Sequence, residues 1–296
     1  KMVNDAGGLN GRKLNFVTYD DGYSPPKAVE MVRKLVEEDN VDILIGSAGS
    51  PAALAIAAVA YELKVPLISI ANANPEGELG SWTVTVPQPA PLMVGATIEH
   101  MKANGVKRLG YIGFSDAWGD LVYDAIQQTT QGTDIEIVAN ERYARSDTSV
   151  TGQILKIISA RPDAVLTGGS GTPGALPHIA LGERGFTGTQ YGTHAIINPD
   201  YVRVGGAAVE GVIAPSGPVI IAEQLPDSNP IKAAALEFRE AYEKANNEAN
   251  ANAFSAYSYD AWLIFLDGAK RALAEATPGT AEYREALRDA IVSTKD

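Results

Sequence analysis

The chemistry that this sequence could carry lies in small polar residues that follow predicted strands. The clearest case is Ile45-Gly46-Ser47-Ala48-Gly49-Ser50-Pro51, which joins an apolar strand to a helix. Ser50 is placed to cap that helix and Pro51 to occupy its first turn. Free N–H groups, the helix dipole and the Ser50 hydroxyl would together hold an anion. A plain helix cap without a ligand explains the same residues, and the Lys-Ser/Thr pair of a nucleotide-binding loop is absent.

Four more loops of small, polar or aromatic residues follow predicted strands, at 69–75, 113–120, 166–173 and 191–196. Ligands collect at the carboxyl ends of the strands in open parallel sheets, where such loops lie. Loop 69–75 would lie near Ser50 and add backbone donors for the same anion, although Asn and Pro are also common turn formers. Trp118 would wall an apolar ligand pocket or, alternatively, pack in the core as Trp usually does.

Support for a catalytic or metal centre is weak. The Gly-x-Ser-x-Gly run of a nucleophile elbow fails at Ser170, which has Thr172 two positions later, and at Ser47, which has Ile45 two positions earlier. The three histidines form no His-x-x-x-His pair, and the chain has no cysteine. We therefore expect no metal and no cofactor, and we keep a serine amidase or hydrolase as the alternative of another class.

Short apolar runs alternate with amphipathic stretches along the chain, and this predicts an α/β fold. The apolar runs are continuous, which is typical of parallel strands covered by helices on both faces. Strands are expected at 13–19, 41–45, 108–114 and 209–214, among others, and a last helix at 281–292.

Two Pro-rich junctions, at 86–91 and 215–230, predict that the chain leaves one lobe and later returns to it. Lobe 1 would hold residues 1–88 and 218–296, lobe 2 would hold residues 89–217, and a ligand cleft would lie between them. The predicted fold class is therefore two doubly wound parallel-sheet lobes joined by hinge crossovers. Ordinary loops at both junctions are the alternative.

Composition excludes several classes of function. The 296 residues carry 24 Lys and Arg against 36 Asp and Glu, a formal net charge of −12, which disfavours nucleic acid as a partner. The longest apolar run, 52–61, is far too short to span a bilayer. Residues 1–8 are typical of the end of a helix followed by a glycine cap. We therefore expect earlier residues to be missing, so that the lack of a signal peptide carries no information.

Several runs resemble the periplasmic binding proteins of branched-chain amino-acid ABC transporters, which have the type I solute-binding fold. The resemblance spans essentially the whole chain. It implies that a strand and a helix that precede the first run in the family are missing here. A final segment after the last run would also be missing, and one ligand loop would lie among the lost residues. The runs that carry it are Asn4-Asp5-Ala6-Gly7-Gly8-Leu9-Asn10-Gly11-Arg12-Lys13-Leu14, Tyr19-Asp20-Asp21, 28–35, 45–50, Val65-Pro66-Leu67-Ile68-Ser69 and Tyr257-Ser258-Tyr259-Asp260-Ala261.

The resemblance also implies a ligand site at particular positions. Ser50 matches a serine whose hydroxyl and amide hold the ligand carboxylate, and Ala71 matches a backbone contact to the same group. Ala73 stands where amino-acid binders usually have Thr, so one hydroxyl contact is lost. Trp118 matches an aromatic residue that covers the ligand from the second lobe.

Two departures from the family pattern bear on the ligand. Ser170, Gly171 and Thr172 fall where a second aromatic residue usually lies, which leaves extra room. His194 falls where amino-acid binders usually place an acid for the α-ammonium group of the ligand. A desolvated ammonium group needs an anionic or strong acceptor partner, and a neutral histidine replaces a carboxylate poorly.

We therefore expect a small carboxylate ligand that lacks an α-amine. The widened wall, with Trp118 and Tyr257, suits an aromatic or keto acid such as a benzoate or an aryl-oxoacid. A one-residue slip of the match near Gly192 is the alternative, and it would leave a branched-chain or other amino acid as the ligand.

The resemblance implies a binding protein that is not an enzyme. It would be a monomer in the periplasm or a lipid-anchored extracellular protein, and it would close on its ligand and present it to an ABC permease in the membrane. A sensor or repressor core of the same fold is a third class, which normally needs a basic DNA-binding segment that is not visible here.

Overall fold

A computed structural model describes residues 2–247 and 251–294. The chain divides into two compact units, unit 1 with Lys1–Pro87 and Tyr257–Asp296, and unit 2 with Gln88–Ala256. The first boundary falls one residue before the predicted one. The second differs, because residues 218–256 group with unit 2 and not with the predicted lobe 1.

From α2 to β7 the helices and strands alternate, except that a 3-10 helix (Gly77–Trp82) and not an α-helix joins β2 to β3. The helices are α1 (Met2–Asp5), α2 (Pro25–Glu37), α3 (Ser50–Leu63), α4 (Ala90–Ala103), α5 (Ala117–Thr130), α6 (Thr151–Ser159), α7 (Ala175–Glu183), α8 (Pro199–Gly205), α9 (Lys232–Asn246), α10 (Ala253–Ala272) and α11 (Ala281–Val292). The strands are β1 (Leu44–Ile45), β2 (Leu67–Ser69), β3 (Thr83–Thr85), β4 (Arg108–Phe114), β5 (Glu136–Tyr143), β6 (Ala164–Gly168) and β7 (Thr189–Gly192).

Unit 1 contains a parallel sheet in the order β1-β2-β3, with Leu44 opposite Leu67 and Ile68 opposite Val84. Helix α2 starts with two prolines and buries Ala28, Val32 and Val36, which recur every four residues and so share one helix face. That face packs in a core with α3 and the sheet. Helices α10 and α11 contribute to a second core that includes Ile68.

Residues 13–19 do not form the predicted strand. Among the described residues, this segment pairs with no strand, and Phe16 within it is 72% exposed. A cavity of about 410 Å³ is lined both by residues 13–19 and by residues 43–45 around β1. A strand depends on hydrogen bonds to a neighbour, so an apolar run without one remains irregular.

Unit 2 contains a parallel sheet in the order β5-β4-β6-β7. Strand β4 is buried from Leu109 to Phe114, as expected for a strand covered on both faces. The Tyr111 hydroxyl donates to the carbonyl of Gly119 at 2.7 Å and so ties β4 to the start of α5. Side chains at Gly113 or Gly168 would overlap this hydroxyl, so glycine at both strand ends makes room for it.

The predicted strand at 209–214 is wrong. Residues 206–209 form a short 3-10 helix, and an isolated bridge joins Ile213 to Tyr191. Residues after this segment pack within unit 2. Phe238, Ala251 and Ala256 form a small core, and Phe254 packs against the large core of the unit. This packing explains why residues 218–256 belong to unit 2.

Candidate functional site

In unit 1, Ser50 is the first residue of α3. Gly49, in an extended conformation, is the N-cap, so the prediction that Ser50 caps the helix is wrong by one position. Among the described residues, neither the N–H nor the hydroxyl of Ser50 has a hydrogen-bond partner, and the residue is 4% exposed. Two free donors at the positive end of a helix dipole suit a carboxylate.

Loop 69–75 lies beside the first turn of α3, as predicted, because Ala71 and Ala73 pack with Ala53. The Ser69 hydroxyl donates to the carbonyl of Ala71 at 2.9 Å, and it accepts from the N–H of Ala71 at 3.3 Å. Thr85 donates to the carbonyl of Ala73 at 2.6 Å. Ala73 is fully buried. Internal packing and hydrogen bonds therefore fix this loop, and a ligand would compete with Ser69 for the N–H of Ala71.

Tyr257 lies in α10 and is grouped with unit 1. Its side chain is buried, with 4% exposure. Burial, together with the charge of Asp260, raises the pKa of Tyr257 to about 12. Tyr257 is therefore a neutral phenol at neutral pH.

In unit 2, Trp118 and His194 lie against each other with 5% and 4% exposure. Their ring centroids are 5.6 Å apart and their planes meet at 88°. The indole N–H donates to the carbonyl of Gly169 at 3.4 Å. The space around both rings, lined also by Met93 and Thr97, leaves no room for a water molecule. The structure thus brings together two residues predicted for the site, and buries both.

The charge state of His194 follows from this burial. Desolvation lowers the pKa of His194 from 6.5 to about 4, so the imidazole is neutral at neutral pH. A neutral imidazole supplies no negative charge for an ammonium group and no positive charge for a carboxylate.

The loop that carries Ser170, Gly171 and Thr172 is held at several points. Gly171 has a φ of 55°, a conformation that favours glycine, and its N–H donates to the carbonyl of Ala195 at 3.1 Å. The Tyr143 hydroxyl donates to the carbonyl of Pro173 at 3.1 Å. Ser170 and Gly171 are half-buried and Thr172 is exposed. The loop therefore presents a small polar edge with a fixed backbone.

Sequence reasoning missed Arg145, which lies two residues after β5 and reaches this loop. Its Nε donates to Asp116 at 2.6 Å, and its Nη1 donates to the Ser170 hydroxyl at 3.1 Å. Asp116 caps α5 by accepting from the N–H groups of Trp118 and Gly119. A lone basic residue shortly after a predicted strand was the only available signal.

Two features bear on the hydrolase and metal alternatives, within the part of the chain that the structure describes. No histidine bonds to Ser50 or Ser170 among the described residues, and no group of three or more potential ligands could hold a metal ion. No helix in the described part of the chain has the length and apolar character to cross a bilayer.

In folds with two parallel sheets covered by helices, ligands usually bind at polar loops like these, at the carboxyl ends of the strands. The family model for periplasmic binding proteins matches residues 1–295. The chain therefore belongs to the periplasmic binding protein family, whose members bind substrates and are not enzymes.

Comparison with individual proteins agrees with this membership. The structure of Rp1789 from Rhodopseudomonas palustris (strain CGA009) has a TM-score of 0.94 and 42% identity, over 97% of this chain and 81% of that one. A Leu/Ile/Val-binding protein, BraC3, from Rhizobium johnstonii is 25% identical over 99% of this chain and 76% of its own length. An amino acid binding protein from Pseudomonas aeruginosa is 24% identical over 73% of this chain, and the match spans 59% of that protein.

Proposed function

We propose that the chain is the extracytoplasmic binding component of an ABC importer and that it takes a small carboxylate without an α-amine, an aromatic or keto acid. It would act as a monomer, in the periplasm or anchored by lipid, and would deliver the ligand to a membrane permease. The predicted lobes and the shared ligand site remain part of this proposal.

The start of α3 supports the carboxylate. The N–H and hydroxyl of Ser50 lack partners among the described residues, although the residue is almost fully buried. An anion at the helix N-terminus would accept from both of these donors.

The observation that carries the choice of ligand class is the burial of His194, which lowers the pKa of its imidazole to about 4. By the family resemblance, an acid at this position would hold the ammonium group of an amino acid. Because burial keeps the imidazole neutral, an ammonium group placed there would lose its hydration without gaining a counter-charge.

An amino-acid ligand is the second candidate, because both curated relatives compared above are named for binding amino acids, as are four more at 23–24% identity. The two candidates differ in one functional group, so matched ligand pairs separate them. Isothermal titration calorimetry would compare phenylpyruvate with phenylalanine, and 4-methyl-2-oxopentanoate with leucine. We expect the oxoacid to bind more tightly in at least one pair, and tighter binding of the amino acid in both would overturn the ligand class.

Substitution of His194 tests the residue directly. His194→Glu should shift the preference toward the amino acid of each pair, whereas His194→Gln, a neutral change at the same position, should not. Equal preferences in the two variants would remove His194 from the selection of the ligand.

Ser50→Ala tests the carboxylate contact. Losing a hydrogen bond to a charged group costs roughly 1–3 kcal/mol, which corresponds to a loss of affinity of roughly 5- to 150-fold. Ser81→Ala, the same change at an exposed position of unit 1, is the control. Unchanged affinity of the Ser50 variant would exclude Ser50 from the site.

A further inference from the structure

Arg145 connects the ends of three neighbouring strands in unit 2. It follows β5, and its Nε and Nη1 donate to Asp116 and Ser170, which follow β4 and β6. The guanidinium carbon lies 4.2 Å from the centroid of the Phe114 ring, a cation–π contact. Three contacts of different kinds thus fix the plane of the guanidinium group.

The hydrogen-bond capacity of this cluster is only partly used. Asp116 accepts from Arg145 with Oδ2 and from the N–H groups of Trp118 and Gly119 with Oδ1. Arg145 has five N–H donors, and the Nη2 group has no acceptor among the described residues. The side chains of Arg145 and Asp116 are 29% and 22% exposed. Arg145 therefore keeps unused donors beside a carboxylate that already accepts three hydrogen bonds.

Ser170 gains a defined role from the same contact. Its oxygen accepts from Arg145 Nη1, and its own proton has no acceptor among the described residues. A hydroxyl that accepts from a cation is left to donate with its proton. The Ser170 O–H and the Arg145 Nη2 group are thus two unused donors on adjacent, hydrogen-bonded side chains. The N–H of Gly171, which donates to the carbonyl of Ala195, holds the loop that carries Ser170.

We infer that Arg145 and Ser170 form a subsite for an uncharged acceptor oxygen on the ligand, remote from its carboxylate. A ring hydroxyl, methoxy or carbonyl oxygen fits this description. The inference rests on the proposed function, because it concerns the far end of the same aromatic acid.

Charge balance favours a neutral oxygen over a second carboxylate. The Arg145 cation is already paired with Asp116 at 2.6 Å, so the pair has no net charge to offer. The whole chain carries a formal charge of −12, which adds no long-range attraction for a dianion. A second carboxylate would therefore meet donors without a matching positive charge.

The test compares ligands that differ by one oxygen. Calorimetry on the whole chain would measure benzoate, 4-hydroxybenzoate, 4-methoxybenzoate and terephthalate, and also phenylpyruvate with 4-hydroxyphenylpyruvate. In the unaltered protein, we expect the para-oxygen ligand of at least one scaffold to bind about ten-fold more tightly than its parent, and terephthalate to bind more weakly than 4-hydroxybenzoate.

Arg145→Gln should bring the preference for the para-oxygen ligand to within about two-fold of unity, and Ser170→Ala should reduce it by about half on a logarithmic scale. The ratio is the readout, because general damage to the loop weakens both ligands of a pair alike. Arg203→Gln is the matched control, since Arg203 also pairs with an aspartate in unit 2 but is 71% exposed. This control should keep the full ratio.

The outcomes separate this subsite from the proposed function. If parent and para-oxygen ligands bind the unaltered protein equally well, or if Arg145→Gln keeps the ratio, the subsite is wrong and the aromatic-acid function stands. If terephthalate binds most tightly, the subsite takes an anion and the inference of a neutral oxygen is overturned. If no aromatic acid or oxoacid binds, the proposed ligand class fails, and the subsite fails with it.

Discussion

The two buried histidines of unit 2 should make its stability depend on pH. His178 is fully buried, and His194 is 4% exposed. The neutral form of His178 satisfies both of its neighbours, with Nδ1 at 2.9 Å from the amide oxygen of Gln190 and Nε2 at 2.8 Å from the Thr167 hydroxyl. Burial lowers the pKa of each histidine from 6.5 to about 4. Both are therefore neutral in the folded protein above pH 4.

The direction of the effect follows from proton linkage. Between pH 6.5 and 4, the unfolded chain binds protons at these two positions and the folded chain does not, so acid favours unfolding. The stability that depends on these neutral histidines is fully present above pH 6.5 and is lost as the pH falls toward 4. At pH 5, which is 1.5 units below the histidine pKa of the unfolded chain, each histidine lowers the free energy of unfolding by about 2 kcal/mol, and the pair lowers it by about 4 kcal/mol. This is a large part of the roughly 5–15 kcal/mol that stabilises a typical protein.

Urea unfolding at pH 7.5, 6 and 5 would measure this loss, with far-ultraviolet circular dichroism as the probe. Carboxyl groups also titrate in this range, so the informative quantity is the difference between the unaltered protein and a His178→Gln/His194→Gln variant. We expect the unaltered protein to lose about 4 kcal/mol more than the variant between pH 7.5 and 5. Histidine ring signals in NMR give an independent measurement that does not depend on the variant. A ring at position 178 or 194 that titrates near pH 6.5 in the folded protein would refute the reasoning.

Three further substitutions test how the fold positions the loops, each by chemical unfolding. Leu166→Ala removes a fully buried side chain of β6 and should cost about 2–5 kcal/mol, whereas a cost near zero would mean that the core closes around the gap. Gly119→Ala should destabilise by about 1–3 kcal/mol or more, because the new methyl group overlaps the carbonyl of Phe114; normal stability would contradict that packing. Thr280→Ala removes the cap of α11, where the hydroxyl accepts from the N–H of Tyr283, and should cost about 1 kcal/mol, with Thr280→Ser as the variant that keeps the cap.

The local sequence pattern predicts the bounds of a helix or strand correctly where the element depends mainly on its own residues. Strand β4 and helix α11 have the predicted bounds, 108–114 and 281–292, because a continuous apolar run and an amphipathic repeat mark them without reference to neighbours. Residues 13–19 also contain apolar residues (Leu14, Phe16 and Val17) and form no strand, since a strand also needs a partner beside it. The sequence pattern does not contain that partner.

The candidate site shows the same division between local and distant causes. Ser50 was found from its place between a strand and a proline, but its exact position in the helix depends on the backbone angles of Gly49. Arg145 was missed because its partners lie 29 and 25 residues away in the chain, and only the order of the strands brings them together. The burial of Ala73 likewise comes from packing against α3 and not from its own neighbours.

The net charge restricts how this chain could hold an anion. With a formal charge of −12, the chain as a whole repels a carboxylate, so long-range attraction cannot supply the affinity. Binding must then come from donors that act over hydrogen-bond distance, such as the free N–H and hydroxyl of Ser50. The Arg145 cation is neutralised by Asp116, and the His194 imidazole is neutral because it is buried. Selection by oriented dipoles distinguishes ligands by where their acceptor oxygens lie, and therefore favours an acid with a defined shape over any small anion.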